Sequence, residues 1–110
     1  MAYKGVGSCS AWVNFNMENQ IVRGSYNVSS VSDQGVGKYY INFSTAMGNS
    51  NYCVVPGCSQ EDGYLVGPVP VKYYGGQGSQ NSGGVTVFAQ QNGNALQDAE
   101  YYYVAVFGTI

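Results

Sequence analysis

The dominant pattern along the chain is strict alternation of apolar and polar positions. In "AWVNFN", residues 11–16, Ala11, Val13 and Phe15 fall on one side, and Trp12, Asn14 and Asn16 on the other. In "IVRGSYNVSSV", Val22, Tyr26 and Val28 share one side, and Arg23, Ser25 and Asn27 the other. "YYINFS" repeats the pattern with Tyr39, Ile41 and Phe43. A period of two residues is that of a pleated strand, and no segment carries the 3.6-residue stripe of an amphipathic helix.

Between the second and third of these runs, "SDQGVGK" supplies a turn. Asp33 can bond its own backbone, and Gly35 and Gly37 can take positive φ, so residues 25–47 read as a β-hairpin. "YCVV" reads as a short strand running up to Pro56 and Gly57, and "VTVFAQQ" and "YYYVAVFG" as two more. "YLVGPVPVKYY" is extended, but Pro68 and Pro70 confine it to a sheet edge. "GGQGSQNSGG", residues 75–84, reads as a flexible loop, and "NGNALQDAE" as a connector. Short strands separated by glycine-rich turns predict an all-β fold. It is a single-domain antiparallel β-sandwich or small barrel, with residues 1–110 as one domain.

Composition sharpens this picture. The chain has 110 residues, enough for one core without disulfide or metal support. Only 9% of residues are charged and 15% are aromatic, with eleven tyrosines, which is the opposite of a disordered composition. The net charge of −2 offers little repulsion between copies, so the chain is expected to self-associate. Its cations, Lys4, Arg23, Lys38 and Lys72, are scattered, which argues against nucleic-acid binding. The start "MAYKGVG" has no apolar signal core, and the longest apolar run is too short for a bilayer span. Synthesis in the cytoplasm without membrane insertion is therefore expected. Three cysteines, Cys9, Cys53 and Cys58, read as reduced, partly buried thiols. "NVS" at Asn27 and "NFS" at Asn42 match the glycosylation pattern but read as plain strand residues without a secretory route.

Candidate chemistry is sparse. With no histidine, the commonest general base and most zinc sites are absent. The three cysteines lack the spacing of a metal motif, so neither metal nor cofactor is expected. The carboxylates Glu18, Asp33, Glu61, Asp62, Asp98 and Glu100 sit in turns and connectors. A paired-carboxylate glycan hydrolase is accordingly a remote alternative. "GVGK" at 35–38 departs from a phosphate loop, with Ser32 at the first glycine position and Tyr39 where Ser or Thr should follow. No enzyme is expected.

Tyrosine instead marks two candidate contact regions. In the last strand, Tyr101 and Tyr103 face one way and Tyr102, Val104 and Val106 the other, with neither side polar. These five residues are candidates for an oligomer interface, with a homotrimer as the expected assembly. Tyr73, Tyr74, Gln77, Gln80 and Asn81, in and beside the 75–84 loop, are candidates for an outward contact loop reading a receptor or glycan.

The segments "AWVNFN", "SYNVSSVSDQGVGKYYINFSTAM" (25–47), "NYCVV" (51–55) and "VAVF" (104–107) resemble a recurring β-domain of tailed-bacteriophage virion proteins. That domain is frequent at tail-fibre ends in phages of marine bacteria and cyanobacteria. The resemblance covers most of residues 9–108, while the segment from Ser59 to Ala99 lies outside its motifs and is expected to be the variable, target-facing part. It implies a virion structural protein, displayed as a fibre, knob or capsid decoration. It also implies other virion proteins as partners and no catalytic residues to carry over. A receptor- or glycan-binding fibre tip is the alternative.

Overall fold

The computed structural model describes residues 9–59, 66–69, 79–91 and 96–110. The described elements are β1 (Cys9–Phe15), β2 (Val22–Tyr26), β3 (Val28–Asp33), β4 (Lys38–Phe43), β5 (Cys53–Ser59), β6 (Val66–Val69), β7 (Gln80–Asn81), β8 (Gly84–Gln91) and β9 (Tyr101–Phe107). No helix occurs among them. They form two open antiparallel sheets. Sheet A has the order β2-β1-β9-β5, and sheet B the order β3-β4-β8-β6, with β7 also pairing β8.

One hydrophobic core lies between the sheets. Sheet A contributes Ala11, Val13, Phe15, Tyr102, Val104 and Val106, and sheet B contributes Tyr39, Ile41, Phe43, Val85, Val87 and Ala89. Among the described residues the arrangement is thus all-β and sandwich-like. The alternation in "AWVNFN" and "YYINFS" faces the way the sequence predicts. The Phe15 ring packs edge-on against Tyr39, with centroids 5.1 Å apart, and lies 5.7 Å from Tyr102. Buried tyrosines need partners for their hydroxyls, and they have them. Tyr39 donates to the Met17 carbonyl at 2.6 Å, and Tyr102 to the Phe88 carbonyl at 2.8 Å.

The run at 22–33 does not continue as one strand. Asn27 adopts φ 56°, a left-handed conformation that asparagine tolerates better than most residues, and there the chain leaves sheet A for sheet B. The corner is fastened by its own side chain. The Asn27 amide donates to the carbonyls of Ser10 and Thr45, and its oxygen accepts from the Thr45 N–H. Strict alternation across the corner therefore breaks; at the other end of β2, beside the register shift at Asn14/Phe15, Val22 is exposed.

The predicted hairpin is β3-β4. Its turn uses Gly35 at φ 127° and Gly37 at φ 68°, with the Asp33 carboxylate accepting from the Gly35 N–H at 2.9 Å. A side chain at 37 would meet the Ala89 carbonyl and the Gln97 N–H, each 2.6 Å from its Cβ, so glycine is required twice over. Pro68 lies in β6, at the edge of sheet B, as its missing N–H demands.

Candidate functional surface

The chemistry-bearing groups are dispersed and mostly structural. Asp33 lies close enough for its charge to act on Asp98, yet both hold the backbone of one turn. Asp33 accepts from Gly35 N–H, and Asp98 from Gly37 N–H at 2.6 Å. Burial raises the Asp98 carboxyl above the usual range, the Gly37 hydrogen bond opposes this, and the Asp33 charge adds to it. Glu61 and Asp62 lie outside the described residues. Burial also pushes the Cys58 thiol up to about 11 and raises Tyr52 and Tyr102. Cys58 packs against the core opposite Tyr102, whereas Cys53 is exposed rather than partly buried. Among the described residues, no three His, Cys, Asp or Glu side chains gather as metal ligands.

Both asparagines of the glycosylation pattern are built into the framework. Asn27 holds the sheet-switching corner, and the Asn42 amide donates to the Ser30 and Ser32 hydroxyls across β3. A recess of about 260 Å³ lies beside the corner, lined by Tyr26, Asn27, Thr45 and Ile110. The Asn27 side chain that borders it is committed to the corner.

The candidate contact loop divides. Tyr73, Tyr74 and Gln77 lie outside the described residues. Gln80 and Asn81 do not sit in a free loop: they form β7, paired with Val85 and Gly84 of β8. Gln80 donates to the carbonyls of Ser50 and Tyr52. The Asn81 oxygen accepts from the N–H groups of Gly83 and Gly84 and from the Tyr40 hydroxyl. The Asn81 side chain is thus spent on the β7-β8 turn, and that of Gln80 on tying β7 to residues 50–52.

The candidate oligomer interface also divides. Tyr102, Val104 and Val106 are buried in the core of a single chain, which corrects their place among the five candidate interface residues. Sheet B fills one side. Tyr101 and Tyr103 remain on the outer face, where β9 is a central strand between β1 and β5.

That outer face of sheet A is the most distinctive surface described. Trp12 is 42% exposed, Tyr103 40% and Val55 51%. Trp12 stands opposite Ala105, and Tyr103 opposite Asn14, so the two residues are diagonal neighbours across β1-β9, with their rings leaning toward opposite edges of the sheet. Each covers a glycine on the strand beyond. Trp12 ring carbons lie 3.3 and 3.4 Å from where a Cβ on residue 24 would stand, and a Tyr103 ring carbon lies 3.4 Å from the same point on residue 57. Arg23 is the only charged residue in the four strands. Its guanidinium stacks 4.1 Å above the Tyr101 ring and donates to the Asn14 side-chain oxygen and the Glu100 carbonyl. Sequence reasoning placed Trp12 on the outward side but did not single it out, nor Arg23. The available signal was a tryptophan out of phase with the core positions of its own strand.

Comparison with known proteins finds no matching family model, no matching curated protein and no matching solved structure.

Proposed function

We propose that the chain is a non-catalytic structural and display module of a bacteriophage virion, a surface fibre, knob or capsid decoration. The observation that carries the display reading is the outer face of sheet A. It is rich in exposed aromatic surface, poor in charge, and set on a finished hydrophobic core. Surfaces of that composition are contact surfaces more often than inert ones. The sequence resemblance supplies the virion as its place. Asp33 and Asp98 hold a turn, and Tyr39, Tyr102 and Cys58 pack into or against the core, which suits a protein that works by packing and presentation.

The assembly in this reading is a homotrimer in contact with other virion proteins. Its contacts fall on the strand edges and ends, where Ile21, Val22 and Val36 are exposed, and not on Tyr102, Val104 and Val106. Antibody labelling of intact particles, with mass spectrometry of purified particles, tests the reading. Stoichiometric presence at the particle surface is expected, and absence from purified particles overturns it. Light scattering on the isolated protein tests the trimer, and a stable monomer removes that part. The second reading, a receptor- or glycan-binding fibre tip, is favoured by the exposed Trp12 and Tyr103 rings beside Arg23.

A further inference from the structure

We infer that the outer face of sheet A binds a carboxylated polysaccharide, with Trp12 and Tyr103 as the stacking platform and Arg23 as the anion contact. The inference rests on the display reading and names the chemistry of its target.

Size argues against a second copy as the occupant. Three strands of seven residues and one of five, about 4.8 Å apart at about 3.3 Å per residue, give a flat footprint of roughly 410 Å². A standard protein-protein interface buries about 800 Å² of accessible surface per partner, about twice this flat footprint, so a second copy would have to reach beyond the sheet face to bind stably. An extended peptide is better served by a sheet edge, where main-chain groups pair, than by the face of a central strand.

The shape and chemistry suit a sugar chain. Pyranose rings present flat C–H faces that pack on exposed aromatic rings, and hydroxyl rims that amides can meet. Here Trp12, over Gly24 of β2, and Tyr103, over Gly57 of β5, provide two aromatic surfaces spaced across the same face, as successive rings of a sugar chain require, with Asn14 between Trp12 and Arg23. Charge selects among sugars. Arg23 brings the only formal charge on these strands, and its partners among the described residues are neutral: an amide, a carbonyl and a ring. A guanidinium has five N–H donors in a planar fork, so donors remain for a carboxylate after these two bonds. The Tyr101 ring holds the fork at the platform's margin, which reduces the entropy lost on binding.

Trp12 is the chain's single tryptophan, so its fluorescence reports directly on this face. Titration with polygalacturonate and alginate oligosaccharides should shift or quench that emission, with dextran giving no response at equal concentration. Binding should weaken as salt rises, since one partner is an exposed charge. Arg23→Gln should lower affinity for the acidic oligosaccharides at least tenfold while leaving the melting temperature within a few degrees. Tyr103→Ala, at an exposed position, gives an independent loss if Arg23→Gln fails to fold. Equal response to dextran, no response to either acidic glycan, or undiminished binding by both variants overturns the inference. So does protection of Trp12 from quenching by acrylamide through self-association, because a second copy then covers the face. None of these outcomes touches the particle-labelling result, so the display reading stands or falls separately.

Discussion

The outer faces of the two sheets carry aromatic side chains in similar settings but with opposite outcomes. On sheet B, Phe88 and Thr86 face away from the shared core yet are fully buried. Lys38 lies above the Phe88 ring at 5.9 Å, and Thr86 exchanges hydrogen bonds with Ser79 through its backbone N–H and its hydroxyl. Tyr40 covers Gly84 and is anchored by its hydroxyl to Asn81. On sheet A, Trp12 and Tyr103 cover Gly24 and Gly57 in the same way, but much of their surface stays in water. Aromatic residues on a sheet's outer face are thus not by themselves a sign of function. What separates the two faces is whether the chain covers those residues itself.

The largest expected effect separates the two sides of β9. Val104→Lys or Tyr102→Lys should prevent folding. An unpaired charge in the core costs about 3–5 kcal/mol, a large part of a domain's whole stability of about 5–15 kcal/mol. Tyr103→Lys, one residue away on the outer face, should melt within a few degrees of the unaltered protein. Thermal melts followed by circular dichroism decide this, and similar losses at 103 and 104 would break the distinction between the faces.

Next comes the pair of covered glycines. A Cβ on residue 84 would run into the Ile41 carbonyl and the Tyr40 ring, and the carbonyl is backbone that has little room to move. Gly84→Ala should therefore cost about 1–3 kcal/mol by overpacking. At residue 57 the added methyl meets Tyr103 at 3.4 Å, an ordinary contact, so Gly57→Ala should fall within about 0.5 kcal/mol of neutral. Chemical denaturation of the two variants measures the difference.

A smaller effect appears in alkali. Burial raises Cys58, to about 11, and also raises Tyr52 and Tyr102. The folded state therefore holds protons that the unfolded chain releases first. This contribution is complete below the unfolded values and is lost as pH rises, for Cys58 between about 9 and 11. The melting temperature should fall over that window, and Cys58→Ala should reduce the slope at its lower end.

The smallest effect concerns the hairpin turn. Asp98 is also raised, so its contribution is present in acid and declines as pH rises through its folded value. Asp98→Asn keeps an acceptor for the Gly37 N–H and should flatten that slight acid stabilisation without altering the fold. Melts at several pH values from below the ordinary aspartate value of 3.8 upward read it directly.

Local patterning is enough for the all-β class, the β3-β4 hairpin and the inward faces of β1 and β4. Period-two alternation and turn chemistry are local, and Asp33, Gly35 and Gly37 encode their turn within a few residues of one another. Tertiary structure decided the rest. Asn27 reads as an ordinary strand position until Ser10 and Thr45 arrive to fasten it as a corner. Gln80 and Asn81 read as loop residues until Ser50, Tyr52 and Tyr40 claim their side chains. "YYYVAVF" is apolar on both sides, so alternation could not tell which side meets sheet B and which meets solvent. Pairing with β1 and β5 fixed that choice, burying Tyr102, Val104 and Val106 and leaving Tyr103 beside Trp12. Pattern specifies which residues share a face, but only packing against a second layer decides which face is the inside.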